Sequence, residues 1–280
     1  MMKLTVLIDN NTLIDRYFLG EPGVSYLIQE NSKQVIFDVG YSNAFIINAQ
    51  KMNLNLLQSD FILLSHGHLD HTWGLEPLLK LYTEAIIESV PCKRPTLIAH
   101  PDVFHTKSID GLNEIGCTIP ESKLKKHFDV DLTRTPFWLT DRLVFLGEIE
   151  RTNDFENQEP LGEIHLKEGS RPDFLLDDTA LAYKSENGLI IITGCSHSGM
   201  CNIIEYAKKV CSQDKVIDVI GGFHLMQPSQ EQMDKTLEYF RKLHPNELHA
   251  CHCVDLDSKI ALSRVAKVKE VGVGLSIEYN

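Results

Sequence analysis

Residues 61–75 read Phe61-Ile62-Leu63-Leu64-Ser65-His66-Gly67-His68-Leu69-Asp70-His71-Thr72-Trp73-Gly74-Leu75. The four apolar residues at the start predict a buried strand. Leu75, Leu78, Leu79 and Tyr82 repeat at helical spacing and predict a helix. Three histidines and an aspartate therefore occupy the connection between a strand and a helix, the end of an open α/β sheet where ligands collect. His66 and His68 are two apart, so an extended segment projects both to one side. That suits two ligands to one metal. Asp70 and His71 follow where the chain bends into the helix, and can face a second metal beside the first. Imidazole and carboxylate suit divalent zinc, manganese or iron. Gly67 and Gly74 read as points of tight turning.

Outward from this stretch, three more apolar runs end near a histidine. Leu189–Thr193 leads to Gly194-Cys195-Ser196-His197, Val216–Ile220 to Gly221-Gly222-Phe223-His224, and Glu247–Ala250 to Cys251-His252-Cys253. If the four runs are parallel neighbours, their ends gather six histidines, Asp70 and Cys195 on one rim. His224 reads as a substrate-facing acid or base, or as a ligand. Cys251 and Cys253 read as small apolar residues at a strand end. Asp9-Asn10 closes a first strand over Leu4–Ile8, and His100 closes another over Pro95–Ala99. Asn187-Gly188 is a hairpin signal. Ser42, Ser229 and Asp257 are predicted helix caps. Asp177-Asp178 reads as a solvated turn, and Lys123, Lys125, Lys126, Arg151 and Arg171 as a solvated face.

The 280 residues carry a net charge of −12, which argues against a nucleic-acid binder. No apolar run approaches the ~20 residues that span a bilayer. Met1-Met2-Lys3 leads straight into a strand rather than a signal sequence, and the seven cysteines are scattered. Reduced thiols and a cytoplasmic location are the expectation. The chain is strand-rich at its start and alternates strand with helix at its end. It is predicted to be α/β or α+β, one domain over 1–280 with an irregular insertion or lid over about 103–178. Within it, Asn153–Pro172 is poor in apolar residues and reads as a surface loop or a lid. Serine-hydrolase elbows and Walker-type phosphate loops are absent.

The stretch Leu64–Leu75, taken with the opening hairpin that ends in Phe37-Asp38-Val39-Gly40, resembles the metallo-β-lactamase superfamily in order and spacing. The resemblance implies a four-layer αββα sandwich with metals at one edge of two sheets. It places His66 and His68 on metal one, Asp70 and His71 on metal two, and His252 as the last ligand of metal two. The sequence departs from the pattern at Cys195, where a bridging carboxylate is usual; a thiolate is softer. The usual third histidine of metal one is also not evident, and His197 is the candidate replacement, with His100, His165 and His224 as alternatives. One or two divalent ions are expected, zinc first, with manganese and iron as alternatives.

Asp9-Asn10, Ile98–Pro101, Thr193–His197, Gly221–Leu225 and Cys251–Cys253 together are similar to one subgroup, that of the 7,8-dihydropterin-6-methyl-4-(β-D-ribofuranosyl)aminobenzene-5′-phosphate synthases. Two reactions at one site follow as expectations. In the first, metal-activated hydroxide attacks a small ester or phosphoester; Asp70 orients the nucleophile and His224 serves the leaving group or the oxyanion. In the second, a transferase joins a pterin methyl pyrophosphate to an aminobenzene. An iron-dependent redox protein is a third reading. The expected partner is a small molecule, phosphorylated ones included, held by His224, Asn10 and His100.

Overall fold

The computed structural model describes residues 1–280. Strands and helices are numbered in chain order. One sheet has seven strands, in the spatial order β16 (Ser276–Tyr279), β1 (Met2–Ile8), β2 (Ser25–Glu30), β3 (Lys33–Phe37), β4 (Phe61–Leu63), β5 (Thr96–Ala99) and β7 (Asp129–Leu132). From β16 to β3 neighbours run antiparallel, and from β3 to β7 parallel. The second sheet has six, in the order β15 (Glu247–Cys251), β14 (Val216–Gly222), β13 (Leu189–Thr193), β12 (Ala180–Lys184), β9 (Leu143–Phe145) and β8 (Phe137–Trp138). Here β13, β14 and β15 are parallel. A small third sheet joins β11 (Gly169–Pro172), β10 (Glu163–Leu166) and β6 (Thr106–Ser108).

The side-chain alternation of the apolar runs shows how these sheets stack. Ile190 and Ile192 of β13 meet Leu4, Tyr26, Phe37 and Leu63 of the first sheet in one buried core. Leu189 and Ile191, from the other face of β13, pack instead against helices α5 (Met200–Cys211), α6 (Gln230–Leu243) and α7 (Leu256–Leu262). The first sheet does the same: Leu63 faces inward, whereas Ile62 and Leu64 pack with α1 (Ala44–Lys51), α3 (Leu75–Ile87) and α4 (Glu121–His127). A strand buried on both faces cannot alternate polar with apolar, which is why these runs are continuous. The layers are helix, sheet, sheet, helix, as the family resemblance implies.

Several expectations change. The four histidine-ended runs are not neighbours in one sheet: β4 lies in the first, and β13, β14 and β15 in the second. The region over about 103–178 supplies β7 to the first sheet and β8 and β9 to the second; β8 and β9 fall within the short strands that Thr135–Leu139 and Leu143–Leu146 suggest in the sequence, whereas β7 has no such signal. Asp255, not Asp257, caps α7, accepting the Ser258 N–H at 2.7 Å. Ser229 caps α6 as predicted, and Ser42 accepts the Ala44 N–H just ahead of α1. Gly67 and Gly74 serve close approach rather than turning: a Cβ would stand 2.6 Å from Val103 O at Gly67 and 1.9 Å from Val39 O at Gly74. No helix is long and apolar enough to cross a membrane.

Candidate metal centre

The loop after β4 is tied to the end of the adjacent strand β3. Asp38, in left-handed conformation (φ 56°), accepts both the N–H and the hydroxyl of Ser65 at 2.7 Å. The same carboxylate accepts from His71 Nδ1 at 2.7 Å. His66 Nδ1 in turn donates to Ser65 Oγ at 2.9 Å. With both Nδ1 atoms engaged, Nε2 is the atom each ring has left to offer. Gly67, between the first two histidines, donates its N–H to Asp177 at 2.8 Å, and Asp177 shares the Lys107 ammonium with Asp173. The four-residue α2 (Leu69–Thr72) then carries Asp70 and His71.

The second sheet supplies the other side. After β13, Ser198 gives its N–H and hydroxyl to Asp178, and Asn157 donates to the His197 carbonyl at 2.9 Å. After β15, the His252 N–H is held by Asp9 at 2.9 Å, and its Nδ1 donates to Asn10 Oδ1 at 2.9 Å. His252 Nε2 then faces Asp70 Oδ2 at 3.3 Å.

These ties bring the donors into two triads. Ligand atoms of His66, His68 and His197 lie within 4.8 Å of one another, as do those of Asp70, His71 and His252. The Cys195 sulfur is in the same range of His66 and His71, of His197 and His224, and of His252 and Cys253. It therefore sits between the triads. Nε2 of His66, His68, His71 and His197 is buried without a hydrogen-bond partner, and so is Nδ1 of His224. Buried polar nitrogens without partners are rare and costly, and a cluster of them fits a divalent ion. Burial holds His66 and His197 well below the ordinary imidazole range and takes His68 down to about 3, so these rings are neutral, as ligands must be. Burial opposes charge at His71 as well, but Asp70 and Asp38 outweigh it and raise its value to about 9. That proton is the one an ion at His71 displaces. Asp70 stays ionised: burial works against it, yet His71 and His252 hold it below the carboxylate range.

Other candidates fall elsewhere. His100 is buried but occupied, its Nδ1 accepting the Asp102 N–H at 3.1 Å and its Nε2 facing Glu148 at 3.3 Å. It belongs to no donor triad, and neither does His165, whose two nitrogens meet Ser108 and Ser170 at 2.7 Å. Asn10 stands behind His252, accepting from its Nδ1 at 2.9 Å. Asp177 and Asp178 are fully buried, not a solvated turn. Arg151 is half-buried and donates to the Phe174 and Leu175 carbonyls. Cys253 is more than packing: its sulfur accepts the His224 N–H at 3.3 Å and lies in the donor cluster. Burial disfavours charge on the Cys253 thiol, but contacts with Cys195, His252 and His224 hold it low. Sequence spacing held no sign of Lys107, whose partners lie 66 and 70 residues away.

Beside His197 and His224 opens a cavity of about 440 Å³, walled by residues 154–161 and Phe223. This is the part of Asn153–Pro172 that lies over the site; residues 163–172 form the hairpin of the small sheet instead. Glu156 anchors the wall by accepting the Cys201 and Asn202 N–H groups at the start of α5.

The metallo-beta-lactamase superfamily profile matches residues 19–94. The chain is 30% identical over 265 residues to the 7,8-dihydropterin-6-methyl-4-(beta-D-ribofuranosyl)-aminobenzene-5′-phosphate synthase of Methanocaldococcus jannaschii, covering 90% of this chain and 87% of that one. It is 32% identical over 269 residues to an uncharacterized protein of the same organism, covering 94% of each. Among solved structures, a metal-dependent hydrolase of the beta-lactamase superfamily, Tm1679, superposes with a TM-score of 0.82 at 24% identity over 99% of both chains. The Bacillus subtilis metallo-beta-lactamase fold protein YhfI does so with a TM-score of 0.63 at 14% identity, covering 99% of this chain and 98% of that one. Sequence relatedness along nearly the whole length, the profile match over residues 19–94 and the shared fold make this chain a member of the metallo-beta-lactamase superfamily.

Proposed function

We propose that the chain is a metal-dependent enzyme that hydrolyses a small ester or phosphoester. The observation that carries this is the convergence of four buried, unpartnered Nε2 atoms from His66, His68, His71 and His197. His66, His68 and His197 would hold one ion and Asp70, His71 and His252 a second, with Cys195 between them; burial keeps that thiol protonated without an ion, and as a ligand its sulfur would favour zinc over manganese. A divalent ion there supplies Lewis acidity and brings the pKa of its water toward 7. The Asp70 carboxylate, kept ionised by His71 and His252, would orient the attacking water. His224 lines the cavity. Burial alone would lower its value, but Cys253, Asp178 and Asp70 raise it, so the ring is suited to hand a proton to the leaving group.

One observation favours a second reaction at the same residues. The relative from Methanocaldococcus jannaschii is named as a synthase, and the relationship covers nine-tenths of this chain. In that reading the centre binds the pyrophosphate leaving group, and the cavity wall keeps water from the reacting carbon.

Metal quantification on purified protein is the first test, followed by assays of the zinc-loaded enzyme. One arm uses a phosphoester and ester panel, the other a pterin methyl pyrophosphate with an arylamine. One or two equivalents of zinc are expected, lost in His66→Ala and His68→Ala together with activity. Full metal content in those variants would falsify the assignment; condensation without ester hydrolysis would select the second reaction.

A further inference from the structure

Two thiols approach each other across an intervening strand. Cys195 follows β13 and Cys253 follows β15, and β14 runs between those strands. Strands one removed in a sheet stand about 9–10 Å apart. The two sulfurs nevertheless lie within 4.8 Å of each other and of a His252 nitrogen. Gly222, at the end of β14, is the reason. A Cβ there would stand 2.6 Å from the Cys253 sulfur and 3.1 Å from the Cys195 Cα, so any side chain would part the two cysteines. Backbone groups of both neighbouring strand ends hold the Cys253 sulfur: it donates to the Cys195 carbonyl at 3.4 Å and accepts the His224 N–H at 3.3 Å. All seven cysteines are free, and none of the other five belongs to a donor group. Cys251, two positions before Cys253, turns into the core between the sheets, its sulfur 3.4 Å from the Tyr26 hydroxyl. Cys195 and Cys253 are each only 4% exposed, but Ser196, His197 and His224 beside them line the cavity of about 440 Å³. A molecule as small as hydrogen peroxide arrives next to the sulfurs by that route.

We infer that Cys195 and Cys253 form a reversible disulfide when a peroxide oxidises them, and that this bond withdraws the Cys195 sulfur from between the two donor triads. The second half rests on the metal-centre reading above; the first half stands on the sulfur pair alone. One sulfur attacks a peroxide oxygen and the O–O bond breaks. A sulfenic acid forms, and the leaving oxygen takes the thiol proton and departs as water. The second sulfur displaces the hydroxyl of the sulfenic acid, which leaves with the second thiol proton as another water. The two thiols thus give up two electrons and two protons, and hydrogen peroxide is reduced to two waters. A phosphine or thiol reductant returns both thiols. A sulfur bonded to sulfur has no thiolate to give an ion, so an ion at Cys195 and the disulfide exclude each other.

The test is peptide mapping of the full chain. Chelated protein is treated with a small excess of hydrogen peroxide, the remaining thiols are alkylated, and the tryptic digest is read by tandem mass spectrometry. Trypsin leaves Cys195 with Cys201 and Cys253 with Cys251, so fragment ions assign the pair. A cross-link from Cys195 to Cys253 is expected, with two of the seven thiols lost and both recovered by a phosphine. Cys195→Ser and Cys253→Ser should each abolish it, and the assignment in the natural chain does not depend on how those variants fold. A different pair, or sulfinic acid without a cross-link, overturns the inference. Zinc-loaded protein should cross-link about tenfold more slowly, and cross-linked protein should bind zinc about 10–100-fold more weakly until it is reduced. Equal rates with and without bound zinc, or equal zinc affinity before and after oxidation, overturn the competition for Cys195. Protein that takes up no zinc yet forms the cross-link refutes the metal reading and leaves the disulfide standing; protein that takes up zinc and never forms the cross-link refutes the disulfide.

Discussion

Replacing Lys107 by methionine removes the cation that Asp173 and Asp177 share. The ammonium lies 2.7 Å from Asp173 and 2.9 Å from Asp177, and the three side chains are 1%, 4% and 1% exposed. Removing one partner of a buried pair costs about 3–5 kcal/mol, because the remaining charge is desolvated and uncompensated. The pH dependence gives the loss a signature. In the natural protein burial would raise the Asp177 value, but Lys107 outweighs it and holds the carboxyl low. Its contribution is therefore present above the unfolded value of about 4 and lost as pH falls through the folded one. Without Lys107 burial dominates and the sign turns over: the folded value rises above the unfolded one, and the penalty fades as the carboxyl protonates. Urea unfolding of both chelated proteins should show a difference of about 3–5 kcal/mol near neutral pH that shrinks on acidification toward the carboxylate range. Asp177 also receives the Gly67 N–H, so zinc affinity should fall, by up to about 10–100-fold, as the acceptor that ties the His66–His68 loop loses the cation that fixes it. A difference under about 1 kcal/mol, or one independent of pH, would refute the reasoning.

Three further outcomes follow from the geometry. His197→Ala should lose as much bound metal as His66→Ala, while His100→Ala keeps it, since only His197 joins the first triad; inductively coupled plasma analysis of gel-filtered protein decides this. Asn10→Ala leaves His252 Nδ1 without its acceptor and should weaken zinc binding about 10–100-fold, read by competition with a chromophoric chelator, with little change in the urea midpoint. Glu156→Ala removes a distant cap from α5 and should cost about 1–2 kcal/mol in urea unfolding; exchange of the Cys201 and Asn202 amides should rise together with it.

The layered architecture was legible because its central strands are covered on both sides: the continuous apolar runs Phe61–Leu64 and Leu189–Ile192 have no polar face to offer water. The pairing of those strands was not legible. Apolar character says that a strand is covered and not which strand lies beside it, so nothing in Phe61–Leu64 tells that β4 belongs to the sheet facing β13, β14 and β15. His66, His68, Asp70 and His71 stand out because their spacing is local. His100 and His197 look alike in sequence, each just beyond a strand. What separates them is distant: Glu148 and Arg134 close around His100, while His197 Nε2 is left open. The supporting acids hid for the same reason. The pair Asp177-Asp178 has the composition of a turn, and the buried role of Asp177 depends on Lys107, 70 positions earlier.

The donors come from the ends of strands in two different sheets. His68 and His197 are 129 positions apart, yet their ligand atoms lie within 4.8 Å. In polymer terms an ion shared between them is a removable cross-link. Closing a loop of that order by a covalent bridge lowers the entropy of the unfolded chain by an amount worth roughly 4–5 kcal/mol. An ion that exchanges with solvent instead stabilises in proportion to the logarithm of its free concentration over its dissociation constant. With an ion held there, the seam between the sheets would have a strength set by metal supply, and its rim, where substrate would enter, would be the edge most sensitive to that supply.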